Sequence, residues 1–512
     1  MKKSRKVMVL LLSVIIIIFA LWFFFVFHNT SPRYTTRNSV ALPESVLEIT
    51  HNNRNIAFPA FASNFTETIN EFLTPQLNAQ TDALIAERIR NYRHSMPVAS
   101  ELTHAQIKYE LYFLFEMLRY GYGAYQYFGG DAVFGALRES MLIQLLYMDD
   151  PLCINMYRDK LLLPALRSVI ADNHFWVDWH SVGARSQLFM NDDLIIRRVD
   201  SVYIVDIDDE AYAVHEIRNA SGQSIDGILP TITDEGEFAW AFGYVLYGLC
   251  RSEEILPFEV SILLENLNTG SSRTLTGVLP PIDNANVSHQ QLFSISVHDG
   301  VAILQNRRFF ELPNDPSIRV FPHTGRRLRH EPVMILDLRG HSGGNDLYGE
   351  QWIGQYTRQR PIYDMMFAHA RLYTQVVSAL TPWMQSDAPP HWEIRDYGVS
   401  PVFIQNDNLL IVLTDNLIGS SGDVFVGYLR QLENVLIVGT NTSGTLLTGN
   451  MGQAVLPSSR FEITFGTTLN VRPDLTTFEG VGFMPDLWVP PILSLQRVLR
   501  MIARYEVLDN NH

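Results

Sequence analysis

Two short apolar runs, each followed closely by a loop of small residues, constrain the fold of this chain most strongly. Residues 333–336 (ValMetIleLeu) precede a glycine-rich loop at 337–345, and residues 409–414 precede GlySerSerGlyAsp at 419–423. Both runs are apolar, rich in branched residues and short, which is typical of buried strands in a covered sheet. The chain is therefore predicted to contain an α/β unit in which each strand ends in a specialised loop.

Placed side by side, the two loops would have the parts needed for acyl transfer. A glycine loop lets backbone N–H groups approach a ligand closely, and serines that open a helix lie where free N–H groups favour negative charge. Together they would supply a hydroxyl nucleophile and donors for an oxyanion. Each loop alone is weak support, because Ser-x-x-Asp is also a capping box in which Ser420 accepts the N–H of Asp423.

The order of four segments strengthens this interpretation. AspLeuArgGlyHisSerGlyGly (337–344), SerSerGlyAsp (420–423), ValGlyThrAsnThrSerGly (438–444) and GluGlyValGlyPheMetProAspLeu (479–487) follow one another along the chain. This order resembles the C-terminal-processing (tail-specific) protease family, the serine peptidase group that includes the tricorn core. The resemblance implies a crotonase-like α/β catalytic core, a peptide or protein substrate and no cofactor.

The resemblance also implies Ser420 as the nucleophile and raises the question of its base. In the tail-specific branch the base is a lysine, but Thr445 occupies the matching position and the chain has no lysine after Lys160. The tricorn-like branch uses a histidine from a short Asp-x-His segment and a glutamate from a late Glu-x-x-Gly pattern. The matching residues are His174 and Glu479. Imidazole titrates near neutrality, and a carboxylate on its other nitrogen fixes the tautomer.

The same resemblance assigns the oxyanion hole to backbone N–H groups on both loops. The candidates are those of Gly343 or Gly344 and of Ser421. Ser421 is also the rival nucleophile, because it directly follows Ser420. An internal ion pair between the acidic and basic residues at 337 and 339 is expected to hold the end of the strand.

The base has several alternatives in the sequence. His180, His289 and His341 are the other candidate histidines, and His341 lies within the glycine loop where relatives usually carry asparagine. A metal site is a further interpretation, with Asp172, His174, Asp178 and His180 as its ligands. Their spacing fits no familiar zinc pattern, so no metal is predicted.

The N-terminus combines a basic flank with an uncharged run from Val7 to Phe27 that is apolar apart from Ser13. A helix of that length crosses about 30 Å of hydrocarbon, and the basic flank is expected to stay cytoplasmic. Residues 1–28 are therefore predicted to be a cytoplasmic flank and single-pass anchor in the cell membrane, with the bulk of the chain extracytoplasmic. A cleaved signal peptide is the alternative, although the run ends in large aromatic residues without an Ala-x-Ala site.

Changes of pattern along the chain predict its organisation. The segments are a tether at 29–65, a helical region at 66–175, a β-rich segment at 176–285 and the catalytic core at 286–512. Family members often carry a PDZ-type module before the core, so the β-rich segment is either PDZ-like or a β-rich lid or spacer. The predicted fold class is thus α/β, with a helical N-terminal region, this insert and a transmembrane helix.

Composition limits the remaining possibilities. A net charge of −15, without a basic stripe beyond the first residues, argues against nucleic acid as the partner. Cys153 and Cys250 either pair or are buried thiols, and the sequence leaves the oligomeric state open. The predicted function is a membrane-anchored extracytoplasmic serine endopeptidase that acts through an acyl-enzyme. The alternative is an inactive family member that binds peptides or serves as a scaffold. An esterase is disfavoured, because no Gly-x-Ser-x-Gly motif surrounds Ser420.

Overall fold

The computed structural model describes most of the chain after the predicted membrane anchor. The described residues are 42–73, 77–92, 99–250, 255–284, 291–312, 315–385, 389–395 and 403–509. The predicted anchor at residues 1–28 lies outside these ranges. Within them, no helix combines the length and the apolar character that a membrane span needs.

The N-terminal part of the described chain is helical. Its elements are α1 (Glu44–Ala57), α2 (Phe65–Phe72), α3 (Ala79–Asn91), β1 (Glu101–Leu102), α4 (His104–Gly121), α5 (Gly130–Leu145), β2 (Leu152–Cys153), α6 (Ile154–Met156), a π-helical turn (Tyr157–Leu162) and α7 (Leu163–Arg167). Helix α4 begins at a capping box between Thr103 and Gln106 and buries its apolar face in the core of this region. Cys153 is free and exposed, so it is neither paired nor buried.

The tether predicted for residues 29–65 is wrong where α1 forms. Arg54 donates hydrogen bonds to the main-chain oxygens of Arg430 (3.2 Å) and Leu432 (2.7 Å) on the catalytic core. Asn53 donates to the carboxylate of Asp486 at 3.1 Å. Polar contacts with distant residues thus hold much of this helix in place, and a local hydrophobic pattern does not reveal such contacts.

The segment after the helices consists of strands. They are β3 (Trp176–Val177), β4 (His180–Ser181), β5 (Ala184–Val199), β6 (Val202–Ile207), β7 (Glu210–Asn219), β8 (Ile228–Ile232), β9 (Phe238–Cys250), β10 (Phe258–Asn266) and β11 (Ser272–Leu279). Strands β5 to β11 form one antiparallel sheet in the order β11-β10-β7-β6-β5-β9-β8. The described residues from 184 to 279 include no helix, so the PDZ-like interpretation, which needs a groove between a strand and a helix, finds no support there.

The catalytic core alternates strands and helices. Its elements are β12 (Phe293–His298), β13 (Val301–Asn306), α8 (Phe321–Leu328), β14 (Val333–Asp337), α9 (Asp346–Thr357), β15 (Ala368–Tyr373), α10 (Gln375–Leu380), β16 (His391–Ile394), β17 (Leu409–Thr414), α11 (Ser421–Leu429), β18 (Val435–Gly439), β19 (Thr448–Val455), β20 (Glu462–Val471), β21 (Leu487–Trp488) and α12 (Pro491–Asp509), with short 3₁₀ turns at Ser317–Val320 and Tyr363–Met365. The α/β prediction is confirmed.

Two sheets in this core position the candidate site. The first has the order β12-β13-β14-β17-β18-β21 and is parallel from β13 onward, with both faces covered by apolar clusters. Because β14 and β17 are adjacent and parallel, their following loops lie at the same edge, as the sequence predicts. In the second sheet, β3 pairs with β20 through Val177–Ile463 and Trp176–Thr464. This pairing brings the segment that contains His174 to the catalytic core.

Candidate active site

Ser420 lies at the junction between the loop after β17 and helix α11. Its backbone has φ 56° and ψ −123°, and residues other than glycine rarely adopt a positive φ of this kind. Its side chain makes no capping hydrogen bond, so the capping-box alternative does not describe this serine. The strained backbone presents the hydroxyl to a cleft, an arrangement that proteins keep mainly at functional sites.

Hydrogen bonds between the two loops fix the position of this serine. Ser421 Oγ donates to the main-chain oxygen of Gly344 at 2.7 Å, and the N–H of Gly419 donates to the main-chain oxygen of His341 at 3.1 Å. The packing is close, since a Cβ on Gly343 would lie 2.9 Å from Ser420 Cβ. The two loops predicted to act together are therefore in direct contact.

The carboxylate of Asp423 secures the other side of the serine loop. It accepts hydrogen bonds from the N–H groups of Gly444 (3.1 Å) and Thr445 (2.9 Å). Burial raises its pKa to about 7, although these hydrogen bonds act in the opposite direction. The side chain of Thr445, the residue matched in sequence to the lysine of the tail-specific branch, forms a 2.7 Å hydrogen bond with Ser443.

His174 is the histidine that contacts Ser420. Its Nε2 lies 3.0 Å from Ser420 Oγ, and the ring is buried at the wall of the cleft. Burial lowers the pKa of His174, while the charge of Asp172 and the backbone of Thr448 oppose that shift. A neutral imidazole at this distance is able to accept the hydroxyl proton. The ring's contact with the main chain of Thr448 is a hydrogen bond that favours the protonated form of the imidazole.

Glu479 lies beside this histidine but contacts main-chain groups. Its carboxylate accepts hydrogen bonds from the N–H groups of Asn173 (2.6 Å), Leu446 (2.9 Å) and Leu447 (2.7 Å). The hydrogen bond expected between Glu479 and the second ring nitrogen is not present. Burial raises the pKa of Glu479 well above its usual range, and the nearby charge of Asp172 raises it further.

From the sequence, Asp172 was a candidate only as a metal ligand. Its carboxylate accepts the main-chain N–H of His174 itself, at 2.9 Å, and the hydroxyl groups of Tyr122 and Thr448, both also at 2.9 Å. All four of these residues are buried, so the network fixes the backbone of the histidine. The two-residue spacing from Asp172 to His174 was the available sequence signal.

The proposed oxyanion donors are not equivalent in the structure. The N–H of Gly343 donates to His341 Nδ1 at 3.1 Å, whereas the N–H groups of Gly344 and Ser421 make no hydrogen bond with the described residues. His341 is completely buried, and burial lowers its pKa to about 3. It therefore supports the glycine loop as a neutral ring and lies apart from Ser420 Oγ in the hydrogen-bond network.

The other candidates do not converge on the serine. His180 is exposed and its Nδ1 faces the main-chain oxygen of Asp178, while Asp178 pairs with Arg158 at 2.9 Å. His289 lies outside the described residues. Across the described ranges, no group of three or more His, Cys, Asp or Glu side chains is arranged to hold a metal ion.

A buried ionic cluster holds the end of β14, as expected. Asp337 pairs with Arg339 at 2.8 Å and with Arg307 at 2.9 Å. Burial would raise the pKa of Asp337, but the hydrogen bonds and charges of both guanidinium groups outweigh it and bring the pKa to about 2. Arg307 also donates to the main-chain oxygen of Arg339, so the cluster fixes the start of the glycine loop.

Comparison with known proteins assigns this region to a family. Residues 320–489 match the model of peptidase family S41. This part of the chain is an S41 peptidase domain. This match supports the C-terminal-processing group of serine-type peptidases, which the four sequence segments predicted. The S41 match includes Ser420 and Glu479 but begins at residue 320, well after His174 in sequence.

Solved structures related to the S41 domain are distant. Mature CPAF is 12% identical over 80% of this chain and 99% of its own, with a TM-score of 0.41. The photosystem II D1 C-terminal processing protease is 14% identical over 77% of this chain and 96% of its own, with a TM-score of 0.32. The tricorn protease is 13% identical over 80% of this chain and 37% of its own, with a TM-score of 0.31. The search of curated proteins gave no match.

Proposed function

We propose that this chain is a serine endopeptidase in which Ser420 attacks the scissile carbonyl and His174 takes its proton. The observation that carries the proposal is the 3.0 Å distance between Ser420 Oγ and His174 Nε2 beside a cleft of 860 Å³. A serine hydroxyl is a poor nucleophile until a base removes its proton. Attack would give an acyl-enzyme, after His174 delivers the proton to the leaving amine; water then releases the acyl group.

The oxyanion of the tetrahedral intermediate would be bound by the N–H groups of Gly344 and Ser421. Both are without a hydrogen bond to the described residues, and Ser421 opens helix α11, where the helix dipole favours negative charge. The N–H of Gly343 is used by His341, which favours Gly344 as the donor from the glycine loop.

Glu479 completes the proposed Ser/His/Glu triad by acting through the backbone. The hydrogen bonds that it accepts from Asn173, Leu446 and Leu447 join the histidine segment to the loop that leads into β19. Asp172 raises the pKa of His174 through its charge, so it favours the imidazolium that forms during attack. Two carboxyl groups thus divide the roles that a single aspartate has in other triads.

A fluorophosphonate probe on the full-length chain tests this proposal. We expect covalent labelling of Ser420, identified by mass spectrometry of the digested adduct, and no labelling of Ser420→Ala. An adduct on Ser421 would move the nucleophile by one residue. An unlabelled, folded protein would favour the alternative of an inactive family member that binds peptides or acts as a scaffold.

We further propose that residues 1–28 anchor the enzyme in the cell membrane, with its substrates outside. The support is the basic flank followed by the apolar run from Val7 to Phe27. Protease added to intact cells should degrade the domain, and the mature N-terminus should retain these residues. Recovery of a protein that starts near residue 30 would establish cleavage instead. The crotonase-like arrangement of residues 286–512 likewise stays a prediction.

A further inference from the structure

A second cavity of 840 Å³ lies beside the cleft that contains Ser420. Its lining is mainly apolar and includes Trp176, Trp179, Trp383, Leu380 and Met451. Three of its residues, Trp176, Trp383 and Met451, also line the cleft around Ser420 and His174. The two cavities are therefore parts of one groove, so that a peptide bound at the serine has an apolar site within reach.

Two of the tryptophans expose most of their surface. Trp179 is 79% exposed and Trp383 is 69% exposed, whereas apolar side chains of this size are usually buried. Trp179 belongs to the two-residue turn between β3 and β4, where its φ is 67° and that of Asp178 is 46°. Turns of this kind favour Asn, Asp and Gly, so a bulky tryptophan there is unfavourable for the fold alone. Exposed aromatic surface that continues an active-site cleft indicates ligand binding.

The charges around the groove restrict the occupant further. Among the described residues that line the second cavity, Glu462 is the one ionisable side chain, and none is Lys or Arg. An acidic side chain placed there would lose hydration without gaining a cationic partner, whereas an aromatic ring would bury apolar area against the tryptophans. Trp176 is held in place by a 2.9 Å hydrogen bond from its Nε1 to the main-chain oxygen of Asn173.

We infer that this groove is a specificity subsite that selects peptide substrates by a large apolar side chain, aromatic above all, located within a few residues of the scissile bond. The inference rests on the proposed function, because it places the substrate relative to Ser420. Trp179 and Trp383 act in it as specificity-determining residues. Their ring faces supply contact area, and Trp176 joins the subsite to the histidine segment.

Cleavage-site profiling tests the subsite. A proteome-derived peptide library is digested with the full-length chain, and the cut sites are read by mass spectrometry. We expect Phe, Tyr, Trp and Leu to be enriched at one position near the cut, with Asp and Glu depleted there. For a peptide cut at such a site, Trp179→Ala and Trp383→Ala should each lower kcat/KM roughly tenfold, in keeping with truncation of a buried aromatic anchor. Replacing that aromatic residue of the peptide with Ser should remove the difference between the enzymes.

Tyr147→Ala is the matched control. Tyr147 is 87% exposed and lines neither cavity, so its truncation should leave the cleavage profile unchanged. Thermal melting checks that Trp179→Ala and Trp383→Ala remain folded. Digestion without any apolar preference, or a preference that both tryptophan variants retain, would overturn the subsite while leaving the peptidase proposal intact.

Binding by Ser420→Ala separates the two proposals. An array of 15-residue peptides probed with this variant should retain peptides that contain aromatic residues, and adding Trp179→Ala should abolish the preference. If the unsubstituted chain cuts nothing but the array shows this pattern, the endopeptidase proposal fails and the groove stands. If the array shows no aromatic preference, the groove proposal fails whatever the enzyme cleaves.

Discussion

The two residues that are proposed to carry the reaction, Ser420 and His174, come from regions that are built in different ways. Ser420 follows a fully buried parallel strand, and its neighbours in sequence supply the helix and the adjacent N–H group. His174 lies in an irregular segment, and the strand that follows it pairs with β20 through two residue pairs. One side of the site is therefore set by local strand–loop–helix geometry, and the other by contacts between segments distant in sequence.

Because of this difference, different contacts hold each of the two residues in position. The serine loop is fixed within the S41 domain by β17, α11 and the glycine loop. The position of His174 depends on two carboxyl groups. Asp172 accepts the main-chain N–H of His174, and Glu479 accepts the main-chain N–H of Asn173. Buried networks of this kind are costly when one partner is lost, because the remaining polar groups stay buried. Substitutions around His174 should therefore act through its position as much as through its chemistry.

The largest expected effect comes from the serine. Ser420→Ala removes one hydroxyl from a half-buried position, so the fold should persist while kcat/KM falls by about four powers of ten or more. Ser421→Ala should cost much less, because the proposed role of that residue uses its main-chain N–H. Steady-state kinetics on a mapped peptide, together with melting curves, measure both. Equal losses in the two variants would contradict the assignment of the nucleophile.

The base should be nearly as sensitive. His174→Ala is expected to match the loss in Ser420→Ala, and the double variant should be no worse than either single one, because residues that act as a unit are not additive. His180→Ala provides the control, since that histidine is exposed and faces Asp178. Substantial activity left in His174→Ala, in a folded protein, would remove His174 as the base and direct attention to His289.

A smaller effect is expected from the glycine loop. His341→Ala leaves the N–H of Gly343 without its acceptor and opens a cavity beside the serine loop. We expect kcat to fall roughly tenfold, which corresponds to about 1.4 kcal/mol in the barrier, with little change in KM. His341→Asn keeps a side chain able to accept that hydrogen bond and should recover part of the rate. A change confined to KM would mean that the ring affects substrate binding and not the loop.

Much of the serine side could be predicted from the sequence, because short buried strands and small-residue loops carry strong local signals. The contact between the loops at 337–345 and 419–423 and the ion pair of Asp337 with Arg339 were predicted in this way, whereas the choice of Ser420 came from the resemblance to a peptidase family. Helix α1 could not be found, because polar contacts with Arg430 and its neighbours hold it. The hydrogen bonds of Glu479 and the tryptophan groove depend on how distant segments pair, and no local pattern encodes that pairing.

The smallest expected effect is a shift in the pH dependence of activity, which tests whether the charge of Asp172 sets the pKa of His174. His174 acts as a base only when neutral, and burial lowers its pKa, so activity should persist below pH 6.5 and then fall as the ring is protonated. Asp172→Asn removes a charge that raises this pKa, so the acid limb of kcat/KM should move to lower pH and the plateau should drop, because the base is weaker.

Asp423→Asn is the matched control for Asp172→Asn. Burial raises the pKa of Asp423 to about 7, and its carboxylate holds the loop at Gly444 and Thr445. Asp423→Asn should therefore change the plateau but leave the midpoint of the acid limb where it was. If the midpoint instead follows Asp423 and ignores Asp172, the titrating group that limits activity is the loop carboxyl, and the pH profile carries no information about His174. If it follows Asp172 alone, the charge beside the histidine sets the strength of the base.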